Sequence, residues 1–276
     1  MKINKKALKQ IIAFLLSLIF VGIVIIIDIN SKKEEPIIEE EIKEAIPYLD
    51  YDWNNLSGNM YLKYEDDKYT SAFGIDVAAH QDTIDWKKVK NKGIEFAYIR
   101  LGYRGATTGL LHMDEEFENN YKGAKENDIK VGIYWYAQPI SKEESLQEAN
   151  YVLDKIEDLE LDLPIVYDFE ETMLYDETSR MHGMTKQNRT TMAVTFLEEI
   201  KKHGYDTMIY TNLDWSQNYY DWSRLHYPIW FAQYDVDYPT YDRPFVMWQY
   251  TDEGYVDGII RDVDLDLMLI RKNDQN

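Results

Sequence analysis

Pro164-Ile165-Val166-Tyr167-Asp168-Phe169-Glu170 is the stretch on which the reading of this chain turns. A short apolar run ends on two acids spaced two residues apart, which is the pattern of a buried strand that stops at a polar rim. Side chains of an extended segment alternate, so Asp168 and Glu170 share one face and Glu171 takes the other. Similar runs lie upstream at FGIDV (73–77), IEFAYIRL (94–101) and KVGIYWYA (130–137), and downstream at TMIYT (207–211). Helical spacing separates them. Asp85 can cap a helix that carries Trp86 and Val89 and stops at Gly93. Phe117, Tyr121 and Ala124 mark a second, and Leu146, Ala149, Leu153 and Ile156 a third. Thr185 can cap a longer one with Met192, Ala193, Phe196, Leu197 and Ile200. Three further apolar segments, PIWFAQY (228–234), FVMWQY (245–250) and VDLDLMLI (263–270), follow with little helix between them.

Strand–helix alternation argues for an α/β barrel or a doubly wound sheet. No glycine-rich phosphate turn follows the first strand, which speaks against dinucleotide binding. Polar residues recur at strand ends: Asp76, Arg100, Tyr136, Asp168 with Glu170, Asn212, Gln233 and Gln249. In a barrel these ends meet at one rim, where active sites are built. The expected fold is therefore α/β, an irregular TIM-like barrel.

The chain of 276 residues has room for one large domain or two small ones. Its net charge of −20, with no long Lys/Arg stripe, argues against nucleic acid as a partner. It has no cysteine, so disulfides, thiol nucleophiles and thiolate metal sites are excluded. Aromatic residues are abundant, with 23 tyrosines and seven tryptophans, which fits either sugar stacking or a tyrosine-rich core.

The N-terminus reads as an anchor. Residues 11–27 form an apolar run interrupted only by Ser17 and Gly22, at the short end of what spans a bilayer. Lys2, Lys5, Lys6 and Lys9 precede it, so the positive-inside bias puts residues 1–10 in the cytoplasm and the rest outside. A cleaved signal peptide is the rival reading, but no small-x-small site follows Ile25-Ile26-Ile27-Asp28. The expectation is one uncleaved transmembrane helix over 11–27, an acidic stalk over 28–70 and a catalytic domain over 71–276. The protein is then expected at a cell membrane, with the domain that follows the stalk extracytoplasmic.

Two carboxylates held close in a partly desolvated site cannot both ionise easily, so one stays protonated near neutral pH. That suits glycoside hydrolysis, where a carboxyl group donates to the leaving oxygen. The competing reading is that both acids cap the next helix. Asp76 ends its strand in the same manner. Asp262, Asp264 and Asp266 are spaced like the start of a calcium loop, but Leu267 stands where glycine is needed and Asn273 where the closing glutamate belongs. No His-Glu-x-x-His motif and no G-x-S-x-G elbow is present. No metal or cofactor is expected.

Taken in order, FGIDVAAHQDTIDW, IEFAYIRLGYRG, VGIYWYA, PIVYDFEE, MIYTN, PIWFAQY, MWQYTDEG and DVDLDLM resemble glycoside hydrolase family 25, the Chalaropsis-type lysozymes, from about Phe73 to Ile270. The resemblance implies five strand–helix units, three closing strands and hydrolysis of the β-1,4 bond between N-acetylmuramic acid and N-acetylglucosamine. It places the family's four acids on Asp76, Asp168, Glu170 and Asp264. Glu170 would be the general acid. Asp168 would stabilise an oxazolinium cation formed by the substrate's own acetamido group, a recognised exception to the carboxylate nucleophile. Asp76 and Asp264 would orient and tune the pair. Tyr134, Trp135, Tyr136 and Trp248 are expected as sugar platforms or core, and Arg100 and Gln233 as polar contacts. Ala78, Asp82 and Trp135 depart from the family's usual serine, glycine and histidine. Asp264 starts its segment, so it reaches the active rim only if that segment runs opposite to the others or begins with a bend. Peptidoglycan glycan strands are the expected partner, alongside the membrane. A catalytically weak glycan-binding or scaffold protein is the alternative of another class. A chitin-cleaving enzyme is the third reading, weakened because Leu163 and Val166 replace the first acids of the D-x-x-D-x-D-x-E run.

Overall fold

The computed structural model describes residues 50–170 and 179–272. Two short strands come first, β1 (Leu56–Ser57) and β2 (Lys63–Tyr64). The main sheet is built from β3 (Tyr69–Val77), β4 (Phe96–Arg104), β5 (Leu111–Met113), β6 (Lys130–Tyr136), β7 (Ile165–Asp168), β8 (Thr207–Asn212), β9 (Ile229–Ala232), β10 (Met247–Gly254) and β11 (Val263–Arg271). Their spatial order is β3-β11-β10-β9-β8-β7-β6-β4-β5, and β3 also pairs with β4. That last pairing closes eight strands into a barrel and leaves β5 outside as the hairpin partner of β4. Closure leaves the eight strands no free edge. Strands β3, β4, β6, β7, β8, β9 and β10 run parallel, while β11 is antiparallel to both β10 and β3.

Alternation along each strand sorts the side chains into two cores. Phe96, Tyr98, Tyr134, Val166, Met208, Tyr210, Trp230 and Met247 fill the barrel interior. The opposite parity, Ala97, Ile99, Ile133, Tyr167, Ile209 and Phe231 among others, packs outward beneath the helices. Aromatic rings inside so narrow a barrel need space from their neighbours. A methyl group on Gly132 would lie 2.4 Å from the Tyr98 ring, and one on Gly74 would lie 2.2 Å from the Phe96 ring. Gly132→Ala should therefore cost about 1–3 kcal/mol through overpacking. A denaturant midpoint indistinguishable from that of the unmodified protein would refute this account of the interior.

The helices are α1 (Trp86–Asn91), α2 (Phe117–Glu126), α3 (Lys142–Ile156), α4 (Lys186–Lys202) and α5 (Leu213–Asn218). Their starts follow the sequence signals. The Asp85 side chain accepts from Lys88 N–H, and that of Thr185 from Asn188 N–H. Gly93 follows α1 with a φ of 87°, a left-handed backbone conformation that glycine adopts without steric cost.

The expected fold class is corrected by these observations. The irregular TIM-like α/β barrel with five strand–helix units and three closing strands gives way to a closed eight-stranded β-barrel with few helices. Helical spacing at Trp86 and Val89 reflects a single short turn, since α1 and α5 each have six residues. Two apolar residues at i and i+3 cannot distinguish such a turn from a crossover helix. The expected transmembrane run 11–27 lies outside the described residues, and no helix among the described residues is long and apolar enough to cross a membrane.

Residues 50–68, which the sequence pattern assigns to the stalk, lie on the barrel. Tyr64 is fully buried. Tyr51 donates its hydroxyl to Phe245 O at 3.2 Å, and Tyr61 donates to Tyr255 O at 2.8 Å. Trp53 stacks on Phe245 and meets Trp248 edge-on. The strap is held by scattered aromatics without a period, so sequence pattern alone does not reveal it.

Candidate active site

The carboxyl ends of the parallel strands open onto a cavity of about 280 Å³. Asp168 is the last residue of β7 and sits in register between Tyr136 of β6 and Tyr210 of β8. Glu170, two residues on and half-buried, lines the same cavity, as strand parity requires. Its backbone carbonyl accepts from Gln138 Nε2 at 2.5 Å, and its Oε1 accepts from Asn212 Nδ2 at 3.4 Å. Asp76 arrives from β3 and Asp264 from β11, where the two are register partners. The antiparallel course of β11 resolves the geometric tension at Asp264. An acid at the start of a reversed strand stands at the same rim as acids at the ends of the others.

Of the residues singled out from sequence, Asp76, Asp168, Glu170, Asp264, Arg100, Tyr134 and Tyr136 line this one cavity. Trp135, Gln233 and Trp248 do not. Trp135 is fully buried on the outward parity and packs against Tyr151. Trp248 also points outward, donating Nε1–H to Gln233 O at 2.9 Å. Gln233 binds Thr240 through its side chain. Each neighbours an inward residue in sequence, and a one-residue step changes the face. Tyr210, Trp230, Tyr234, Gln249 and Asp252 complete the lining. The parity of Asn212 and Gln249 could have found Tyr210 and excluded Trp248.

Hydrogen bonds tie the floor together. Tyr210 and Tyr234 both donate to Gln249 Oε1, at 2.8 and 2.5 Å, and Gln249 Nε2 donates to Asp76 Oδ2 at 2.7 Å. One step deeper, Asp266 is fully buried and accepts from Trp230 Nε1 at 2.8 Å. Arg100 is the one cation lining the cavity among the described residues, and its guanidinium is already engaged by Asp114 at 2.7 Å.

Asp76, Asp168, Glu170, Asp264 and Asp266 thus crowd a site with little positive charge, and their affinities for protons rise. Burial pushes Asp168 well above the usual carboxylate range, and the neighbouring charges of Glu170 and Asp76 add to it. Burial raises Glu170 to about 7, against the hydrogen bonds of Asn212 and Tyr210. Burial and then Asp76 raise Asp264 to about 9. Asp76 and Asp266 are likewise pushed well up, by burial first and by a neighbouring carboxylate second. Near neutral pH the cluster holds several protons, and the half-buried Glu170 is poised to give one up or take one back. Asp168 Oδ1 is buried with no hydrogen-bond partner, which leaves an acceptor free for a ligand N–H or for positive charge.

Asp266 makes a direct stability prediction. A carboxyl whose affinity for a proton is raised by folding favours the folded state at low pH and disfavours it as pH rises toward the folded value. Asp266→Asn keeps the acceptor for Trp230 and cannot ionise. The variant's Tm should exceed that of the parent by a margin that grows from pH 5 to pH 9. A margin independent of pH would show that Asp266 does not hold a proton.

The family model for Glycosyl hydrolases family 25 matches residues 75–259. The autolytic lysozyme of Clostridium acetobutylicum is 30% identical over 193 residues, covering 70% of this chain and 54% of the relative. Lysozyme M1 of Streptomyces globisporus is 31% identical over 201 residues, covering 69% and 65%. The chain therefore spans between about half and two thirds of the length of these relatives. The crystal structure of the bacterial lysozyme from Streptomyces coelicolor superposes with a TM-score of 0.58 at 28% identity, covering 71% of this chain and 90% of that one. With its closed barrel, its acids at one rim and a family match over most of the barrel, this chain belongs to glycosyl hydrolases family 25.

Proposed function

We propose that this protein is a peptidoglycan hydrolase, a muramidase that cleaves the β-1,4 bond between N-acetylmuramic acid and N-acetylglucosamine. The observation that carries the reading is the meeting of Asp76, Asp168, Glu170 and Asp264 in one cavity, with Asp168 and Glu170 on a common face. Relatives named as lysozymes support it. Glu170, raised to about 7 and the more exposed of the pair, protonates the leaving glycosidic oxygen. The substrate's 2-acetamido oxygen then attacks the anomeric carbon to form an oxazolinium ion. The unpartnered Asp168 Oδ1 accepts the acetamide N–H and opposes the positive charge that develops. Glu170, now ionised, takes a proton from the water that opens the oxazolinium ring. Asp264 and the Gln249-bound Asp76 lie behind the pair and keep protons in the cluster.

Mass spectrometry of digested cell wall tests the assignment. Products with muramic acid at the reducing end are expected, and glucosamine at the reducing end refutes it. The site of action is proposed to be the outer face of a bacterial cytoplasmic membrane, reached through the lysine-flanked apolar run 11–27. Membrane fractionation with protease added to intact protoplasts tests this; a barrel protected from protease would rule it out.

A further inference from the structure

We propose that a second groove, on the outer side of β10, binds the side-chain ammonium group of a peptide attached to the glycan. The proposal rests on the muramidase reading for its choice of ligand. The groove has a volume of about 810 Å³, against about 280 Å³ for the catalytic cavity. Only the upper end of β10 separates the two. A register shift after Gln249 resets the facing of the strand, so beyond it Asp252 lines the catalytic cavity while Thr251 and Glu253 line the groove. A ligand emerging from the cleft at Asp252 meets the groove on the other side of a single strand.

The lining specifies a chemistry. Trp53, Met60 and Tyr238 offer aromatic and thioether surface, and Asp235, Asp237 and Glu253 add three carboxylates; among the described residues no lysine or arginine lines it. An aliphatic stem ending in an ammonium group matches both features. Its methylenes lie on the aromatic surface of Trp53 and Tyr238, where a cation is also attracted, and its charge meets the acids. A neutral sugar would stack on the aromatic surface and donate hydroxyls to the acids, but would leave their charges unneutralised. Wall glycans carry such a group, since each muramic acid bears a short peptide that contains a diamino acid. The groove is also built, not left over. Its far wall is the 53–62 strap, pinned by Tyr250 Oη donating to Met60 O and Tyr61 Oη donating to Tyr255 O, both at 2.8 Å. That strap precedes the family-matched residues 75–259, so one wall of the groove is added from outside the match while the acids stand within it.

Calorimetric titration of the native full chain tests this, with the tetrapeptide Ala-γ-Glu-Lys-Ala against the same peptide acetylated on the lysine amine. Exposed charges facing one ammonium group should make the acetylated peptide bind about tenfold more weakly, and added salt should narrow the difference. The combined variant Asp235→Asn, Asp237→Asn, Glu253→Gln should lose a similar factor for the free amine. Equal affinities for the two peptides, or no binding of the free-amine peptide, overturns the proposal. The comparison of peptides needs no variant, so a variant that misfolds leaves the test standing. It also needs no hydrolysis. A protein that releases nothing from wall overturns the muramidase reading, while the titration separately decides the groove.

Discussion

Glu170→Gln should lower the release of muropeptides from purified wall by about 10²–10⁴-fold, the usual worth of a positioned general acid. Glutamine keeps the shape and the acceptor that Asn212 Nδ2 meets at 3.4 Å, but it has no proton to give to a leaving alkoxide. Far-ultraviolet circular dichroism and Tm should stay near those of the parent, because Glu170 lies beyond the end of β7 and belongs to no ladder. The pH profile supplies the second half of the test. The acid must be protonated to act, and burial raises Glu170 to about 7, so turnover should be high below pH 7 and decline as pH rises through it. Glutamine removes that alkaline limb along with the rate. Full activity in the variant would sink the assignment of Glu170, and a residual activity that kept the same limb would move the acid to another carboxyl.

How much of this could be read without coordinates depends on the range of the interaction that decides each feature. Strand parity is local, and it placed Asp168 with Glu170 and Tyr134 with Tyr136 on common faces. The caps at Asp85 and Thr185 are local too, set by one side chain and an amide three residues on. Closure of the sheet is not local. Pairing of β3 with β11, on the side away from β4, joins residues about 190 to 200 positions apart, and no periodicity encodes it. The same non-local pairing reverses β11 and brings Asp264 opposite Asp76. Resemblance to a family had already put both residues on one site, yet the reason they meet is visible only in the ladder. The misplacement of Trp135 and Trp248 has a different origin. Aromatic residues at strand ends suit a sugar platform and a core equally well, and their own parity assigned both to the core. Asp266 was set aside as part of a failed calcium loop, when its inward parity with Asp264 already pointed to the barrel interior.

Asp168→Asn should cost about 10²–10³-fold in kcat, the range found when one preorganised group facing developing charge is removed. The argument differs from that for Glu170 because Asp168 transfers no proton. It ends β7 in the barrel wall, with Oδ1 buried and unpartnered, while the cation of the proposed intermediate is absent from the bound ground state. An interaction made mainly at the transition state lowers kcat and leaves KM nearly unchanged when it is lost. Asparagine also removes a like charge from the side of Glu170. Glu170's charge raises the proton affinity of Asp168, and coupling between two titrating groups is reciprocal, so the alkaline limb of the variant should move to lower pH. Three readouts therefore move together: a large fall in kcat, a small change in KM and an acid-shifted limb. A variant that loses only KM would make Asp168 a ground-state contact to the acetamide. One that loses kcat with the limb unmoved would separate it electrostatically from Glu170. Only the combined result supports the division in which Glu170 carries the proton and Asp168 meets the charge.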